Sequence, residues 1–388
     1  MSFALKMGKL TKKQHGYNLM ESIHPTPSET TPPINEPAEP IFSGKVQFSG
    51  KGGEFFGIWI VNILLSVITL GIYSAWAKVR THRYFYGHTR IDGHSFDYLA
   101  TPIQILKGRI LAVVVFFIYT FSISFLPILG LFIALGFIFL MPWIINQGLR
   151  FNLRMTRHRN VRFAFKGSYG EAFVNFILLP IASIFTLYLL MPYVIKRIDS
   201  YIHSNISYGD KPLTVNLKGE TYYLTALICF VVSSITMVVF MGILGVFGLN
   251  LLDVENQQGL ENSPAMVMLP ILMMIAYVLM IAIVSAVWHA AIRNHIFDNS
   301  HFEGVATFKS ELKPVPFAVL LLTNMLAIVF SLGLAYPWTK VRTSKMLADV
   351  TNVTIYPGAL NLIDTAQEQQ SSFAEEAANV FDIDLSLT

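Results

Sequence analysis

Charge is what this sequence has least of: only 13% of its 388 residues are Asp, Glu, Lys or Arg, against the ~25% of soluble domains. The shortage is concentrated. Six stretches, 55–77, 110–149, 172–195, 221–252, 262–292 and 314–339, contain none of the four. Each is long enough to cross a bilayer, for which ~20 apolar residues at ~1.5 Å rise suffice. The second, of 40 residues, is too long for one crossing, and Pro127 and Gly130 mark a tight turn between two. Cysteine is nearly absent as well. The single Cys229 excludes an internal disulfide or a cysteine metal cluster, and its place inside an apolar stretch makes it a packing residue. Residues 1–40 offer no apolar core of ~7–15 residues, so no cleavable signal peptide is expected.

Missing chemistry narrows the function. The chain has no Gly-x-Ser-x-Gly, His-Glu-x-x-His or Walker loop. Its apolar stretches hold no carboxylate, Lys or Arg, so the usual mark of a proton relay or coupled ion path is lacking. Histidines recur six apart, at His82, His88 and His94 and at His289, His295 and His301. Six is not a helical-face interval, and no carboxylates accompany them at metal-site spacing. No cofactor, no metal and no enzymatic activity are expected.

What is present is a repeat, the feature that governs architecture when it occurs. "FSGKGGEFF" at Phe48 and "FKGSYGEAF" at Phe165 share Phe, Gly, Gly, Glu and Phe at a constant offset of 117. "LGIYSAWAKVRT" from Leu70 and "LGLAYPWTKVRT" from Leu332 agree at seven of twelve positions. Three membrane units follow, at 42–147, 148–291 and, as a partial copy, 292–355. A Pro/Ser/Thr/Glu-rich leader (1–41) has too little apolar content to fold. An acidic tail (356–388) closes the sequence; within it Phe373, Ala377, Val380 and Phe381 have helical spacing, which suits either a partner-docking helix or a solvated tail.

Short polar alternations flank each repeat segment, with Asp92-Gly93 as a hairpin turn. If strands before and after a segment pair into one small sheet, both its ends lie on the same membrane side. Two topologies remain open. With seven crossings the Lys and Arg divide 15 to 13, a balance that orients nothing; if each repeat segment folds back, four crossings remain and all 28 lie on one side. The fold-back would fall at Thr69-Leu70-Gly71, Thr186-Leu187-Tyr188 and Ser331-Leu332-Gly333, where Gly permits a tight turn and Tyr188 departs from the pattern. The expected fold is an all-α polytopic membrane protein built from internal repeats, with small β-strand or hairpin elements at the cytoplasmic face.

Candidate residues sit where apolar runs meet charge. Trp76 with Lys78 and Arg80, Tyr193 with Arg197, and Trp338 with Lys340 and Arg342 suit an interfacial row or a site for anionic phospholipid headgroups. Asn62 and Asn324 occupy equal positions of copies one and three, with Asn175 four residues early in copy two; each fits interhelical packing or a substrate-facing role. The basic stretch Arg150 to Lys166 is a cytoplasmic topology signal, and no nucleic-acid partner is expected.

The segment "FSGKGGEFFGIWIVNILLSVITLGIYSAWAKVRTHRYFYGHTRIDGHSFDY" resembles the YjgN-type family of bacterial inner-membrane proteins, of unknown function. The likeness rests on Phe48, Gly50, Gly52 or Gly53, Glu54, Phe56, Asn62, Thr69 to Tyr73, Trp76, Val79 and Arg80. Copies two and three depart from it, with Tyr193 for Trp, Tyr188 for Gly, and Pro192 and Pro337. The resemblance implies a multi-pass location in the bacterial inner membrane and brings no activity. Two functions are therefore carried forward: a non-catalytic membrane scaffold or lipid-interacting protein, and a transporter or channel for a small solute or lipid.

Overall fold

Strands and helical pairs alternate along the chain, and that alternation is the architecture. The computed structural model describes residues 39–251 and 264–363. The chain enters through β1 (Phe42–Lys45) and β2 (Gln47–Phe48), rises into α1 (Gly52–Ile68) and α2 (Ser74–His88), and returns as β3 (Thr89–Ile91) and β4 (His94–Tyr98). A longer pair, α3 (Pro102–Phe125) and α4 (Pro127–Arg154), leads back to β5 (Thr156–His158) and β6 (Val161–Phe165). The second repeat copy supplies α5 (Tyr169–Phe173), a π-helical turn at Val174–Leu178, α6 (Leu179–Phe185) and α7 (Met191–Ser204), then β7 (Ile206–Tyr208) and β8 (Lys211–Val215). A second long pair, α8 (Gly219–Leu251) and α9 (Pro264–Asp298), precedes β9 (Ser300–Phe302) and β10 (Ala306–Ser310). The third copy, α10 (Pro314–Phe330) and α11 (Tyr336–Asp349), ends in β11 (Thr351–Ile355).

The strands do not stay in separate hairpins. They form one antiparallel sheet of eleven, ordered β1-β11-β10-β9-β8-β7-β6-β5-β4-β3-β2. Its end strands β1 and β2 are separated in the chain by Val46 alone, whose N–H bonds the Thr351 carbonyl at 2.9 Å, so the sheet nearly closes on itself. A closed sheet leaves few unpaired edges. This overturns the expectation of an all-α fold with only small hairpins. The flanking strands of each repeat segment do pair, β2 with β3, β6 with β7 and β10 with β11. The strands beyond them also pair across the long helical pairs, β4 with β5 and β8 with β9, and β1 joins β11 from the far end of the sequence. Strands of two to five residues announce themselves locally as turns; their merger is a long-range fact.

Side chains from around the ring meet inside it. Val161, Tyr208, Leu213, Phe302, Val353 and Ile355 are buried in a single cluster, against which Phe42, Ile91 and Phe308 also pack. Residues 358–363 form a helical turn that adds Ala359 and Ile363 to the same core. The two-residue turns match the right-handed twist of paired strands: Asp92-Gly93 has φ of 50° and 73°, and Arg159-Asn160 has 48° and 66°.

All three repeat segments turn back at the triplets identified in the sequence. Leu70 and Gly71 have φ of 48° and 91°, Leu187 and Tyr188 50° and 64°, Leu332 and Gly333 50° and 91°. The first helix of each ends by bonding back: Gly71 N–H to Ser66 O (2.7 Å), Tyr188 N–H to Ser183 O and Gly333 N–H to Ile328 O (both 2.8 Å), the six-to-one bond of a Schellman terminus. A hydroxyl then starts the next helix, as Thr69 Oγ1, Thr186 Oγ1 and Ser331 Oγ accept from the N–H of Tyr73, Leu190 and Ala335 at 2.9, 3.2 and 2.8 Å. Backbone bent at membrane depth must be satisfied internally, and this turn does so with its own side chain. Its tips are apolar and bare: Leu70, Leu187 and Leu332 are 94%, 85% and 94% exposed.

Among the described residues four helical segments are long and apolar enough to cross a membrane: Pro102–Phe125, Pro127–Arg154, Gly219–Ile243 and Pro270–Asp298. Helix α1, with 17 residues, reaches only about 25 Å at ~1.5 Å per residue, short of a ~30 Å hydrocarbon core. Every helical pair leaves the sheet and returns to it, so the strands lie on one side of all of them.

Candidate functional site

The sequence-derived residues fall on the hairpins. Trp76 and Arg80 lie on the exposed face of α2, Tyr193 and Arg197 on that of α7, and Trp338, Lys340 and Arg342 on that of α11. Spacing of i, i+4 puts each aromatic and its Arg on one side of the helix. Their surroundings differ. Trp338 packs on the first copy, its ring 4.9 Å from that of Phe56, and a Cβ at Gly52 would collide with it. Only glycine at 52 allows that approach. Trp76 instead stacks on Tyr73 of its own hairpin at 6.1 Å.

The first and third copies are thus neighbours, and the groove beside their contact is basic. Trp59, Asn62, Ser74, Lys78, Thr81 and His82 line an open cavity of about 560 Å³ between α1 and α2. Burial lowers the His82 pKa from its ordinary value, and the positive charges of Lys78 and of Lys340 from the third copy push it the same way. Arg109 of α3 donates to Ser74 Oγ at the rim. Among the described residues none of these cations has an ion-pair partner. The groove therefore collects positive charge from three elements and is suited to an anion.

The three asparagines behave unequally. Asn324 is buried and satisfied: its Nδ2 donates to Thr343 Oγ1 at 3.0 Å, and its Oδ1 accepts from Arg342 at 3.4 Å. Asn62 is 5% exposed, yet neither amide atom has a partner. Asn175 lies in the π-helical turn, buried, with Oδ1 unpartnered. Buried amide groups without partners are expensive, so equal sequence positions have unequal energetic states.

Sequence reasoning passed over several residues that the fold brings together. Arg157 and Arg159, in the basic stretch, pair with Asp97 (2.9 Å) and Asp92 (3.3 Å) of the first unit's hairpin. His158, buried in the barrel core, has its pKa lowered to about 4, chiefly by burial and further by the Arg159 charge. His82 carried a signal only as one of a row of histidines; Lys78 and Lys340 were each marked by the repeat, but nothing in sequence linked Lys340 to His82. The helical pattern proposed at Phe373 to Phe381 lies outside the described residues.

A family profile described as bacterial protein of unknown function, DUF898, matches residues 43–380. The chain belongs to that family. This DUF898 chain is also similar to the inner membrane protein YjgN of Salmonella typhimurium strain LT2, 35% identical over 155 residues, 39% of this chain and 38% of the relative. The YjgN of Escherichia coli O157:H7 is 34% identical over 147 residues, 37% of this chain and 36% of its own. The matched stretch thus spans well under half of each relative. No solved structure matches the DUF898 chain. These relatives are named as inner-membrane proteins, and the described residues of this chain include four apolar helices long enough to cross a membrane.

Proposed function

We propose that this DUF898 protein is a non-catalytic, lipid-interacting protein of the bacterial inner membrane that holds anionic phospholipid headgroups where its first and third repeat copies meet. The observation that carries this is an open groove lined by Lys78 and His82, with the charge of Lys340 acting on His82 and no carboxylate paired to any of the three among the described residues. Lipid phosphate is the anion that surrounds such a site in a membrane, and cationic side chains at headgroup level are drawn to it. Exposed Trp76, Tyr193 and Trp338 beside Arg80, Arg197 and Arg342 support the same placement, since amphipathic aromatics favour the interface. The apolar barrel core, whose side chains leave a cavity of about 150 Å³, weighs against a conduit for a polar solute through the sheet.

The sheet is assigned to the cytoplasm. No Lys or Arg occurs between Arg109 and Arg150 or between Lys218 and Arg293, so neither long helical pair holds a basic residue between its two apolar stretches, and by the positive-inside rule the basic strands belong inside. In a Cys229→Ala background, an impermeant thiol reagent should label Gln258→Cys and spare Asp210→Cys in intact cells. Labelling of position 210 would refute the orientation.

For the lipid site, the double variant Lys78→Gln/Lys340→Gln in nanodiscs should lose severalfold preference for phosphatidylglycerol over phosphatidylcholine. An undiminished preference would reject the site. A transporter of a small solute is the second reading, favoured by the unpartnered Asn62 amide in that groove. It predicts that Asn62→Leu abolishes solute uptake while accumulation stays normal; uptake that persists argues against it.

A further inference from the structure

A second groove lies on the other side of the third copy, between α9 and α10, with a cavity of about 570 Å³. Its walls are two helical stripes: Val278, Ile281 and Ser285 from α9, and Phe317, Leu321 and Met325 from α10. Intervals of three, four and eight put each stripe on one helix face. The α9 stripe continues through His289 to Arg293, so the groove is apolar for most of its length and cationic at the sheet end. From Val278 to Arg293 is about 22 Å at ~1.5 Å per residue.

Arg293 is held ready rather than neutralised. Its Nη2 donates to Thr351 Oγ1 at 2.7 Å and its guanidinium lies 4.2 Å from the Phe297 ring centre. Its Nε is buried with no acceptor, and among the described residues no carboxylate pairs with it. A half-buried cation without a counter-charge, one of its nitrogens buried and unpaired, is costly, which points to an anion supplied from outside the chain. His289, exposed beside it, sets its ring edge-on to Phe317 at 6.4 Å.

Depth identifies the anion's source. Helix α9 has 35 residues, about 52 Å at ~1.5 Å per residue, against a hydrocarbon core of ~30 Å. With its apolar middle in the core, the turns bearing His289 and Arg293 stand at headgroup level and the stripe from Ser285 to Val278 runs into the acyl region. We infer that the α9–α10 groove is a specific site for one anionic phospholipid, its phosphate on Arg293 and His289 and an acyl chain along Leu321 and Met325. The site is separate from the one between copies one and three, and it shares with that reading only the placement of α9 across a membrane.

The test is native mass spectrometry of the full chain released from nanodiscs of phosphatidylcholine with graded phosphatidylglycerol. Wild-type protein should retain a tightly held phosphatidylglycerol at this groove besides any bound between copies one and three, Arg293→Gln should lose at least tenfold in its affinity, and inorganic phosphate should not compete. Ser285→Trp, which fills the groove and leaves the Arg293 to Thr351 bond in place, should remove the same lipid, and it decides the matter if Arg293→Gln fails to fold. Lys78→Gln/Lys340→Gln should leave this lipid bound, so the two sites fail independently. Retention of the lipid by Ser285→Trp, or its displacement by inorganic phosphate, would overturn the inference.

Discussion

At the scale of single residues, the backbone angle explains an exception that composition alone left odd. Copies one and three place Gly71 and Gly333 at φ of 91°, beyond the left-handed well open to other residues, whereas Tyr188 of copy two sits at 64°, inside it. Gly71→Ala should therefore destabilise the protein by about 1–2 kcal/mol although space for a methyl exists. Tyr188→Gly should cost far less, and thermal unfolding of both in one detergent compares them. His158 offers a pH test. Its folded pKa of about 4 lies below the ordinary 6.5, so the unfolded chain binds the extra proton between those values and stability falls as pH drops from 6.5 toward 4, by up to about 3 kcal/mol. Unfolding followed across that range should show the slope in the wild type and lose much of it in His158→Phe.

Three hairpins with one turn chemistry make the element scale unusually comparable. The hydroxyls of Thr69, Thr186 and Ser331 each satisfy an N–H that would otherwise face hydrocarbon. Thr69→Val and Ser331→Ala should each cost about 1 kcal/mol, the worth of a helix cap, with additive effects because the turns are separate. A double variant no less stable than the wild type would show that the turns find other partners. Between elements, His82 has its proton affinity reduced by burial and by the charges of Lys78 and Lys340. A bound phosphate would restore that affinity, so phosphatidylglycerol binding should tighten as pH falls below the ordinary His value of ~6.5. His82→Gln should flatten that dependence.

For the whole molecule, closure is the property most open to attack. Phe302 packs inside the ring, 6.0 Å from Tyr208 and 5.9 Å from Phe308 by ring centres. Phe302→Ala should cost about 3–5 kcal/mol and loosen strands from distant parts of the chain together. Hydrogen exchange should then rise in β7 and β11 alike; a rise confined to β9 and β10 would mean that the sheet is not one cooperative unit.

The sequence by itself determined where apolar helices run, that three segments repeat, and at which triplets a fold-back would fall, because charge, hydrophobic length and turn residues are local properties. It also placed the Asp92-Gly93 turn and raised the pairing of strands across a repeat segment as a condition that the structure meets. Whether those segments crossed or folded back stayed open in sequence, since an uncharged run of either kind reads alike; the left-handed angles at Leu70, Leu187 and Leu332 decide it. Only the tertiary structure joined Phe42 to Ile355, gathered side chains from eight of the eleven strands into one core, and put His82 within the field of Lys340. Strands of two to five residues have too little local pattern to specify partners hundreds of residues away. Their pairing is selected by the burial of a shared core, which exists only once the chain has closed.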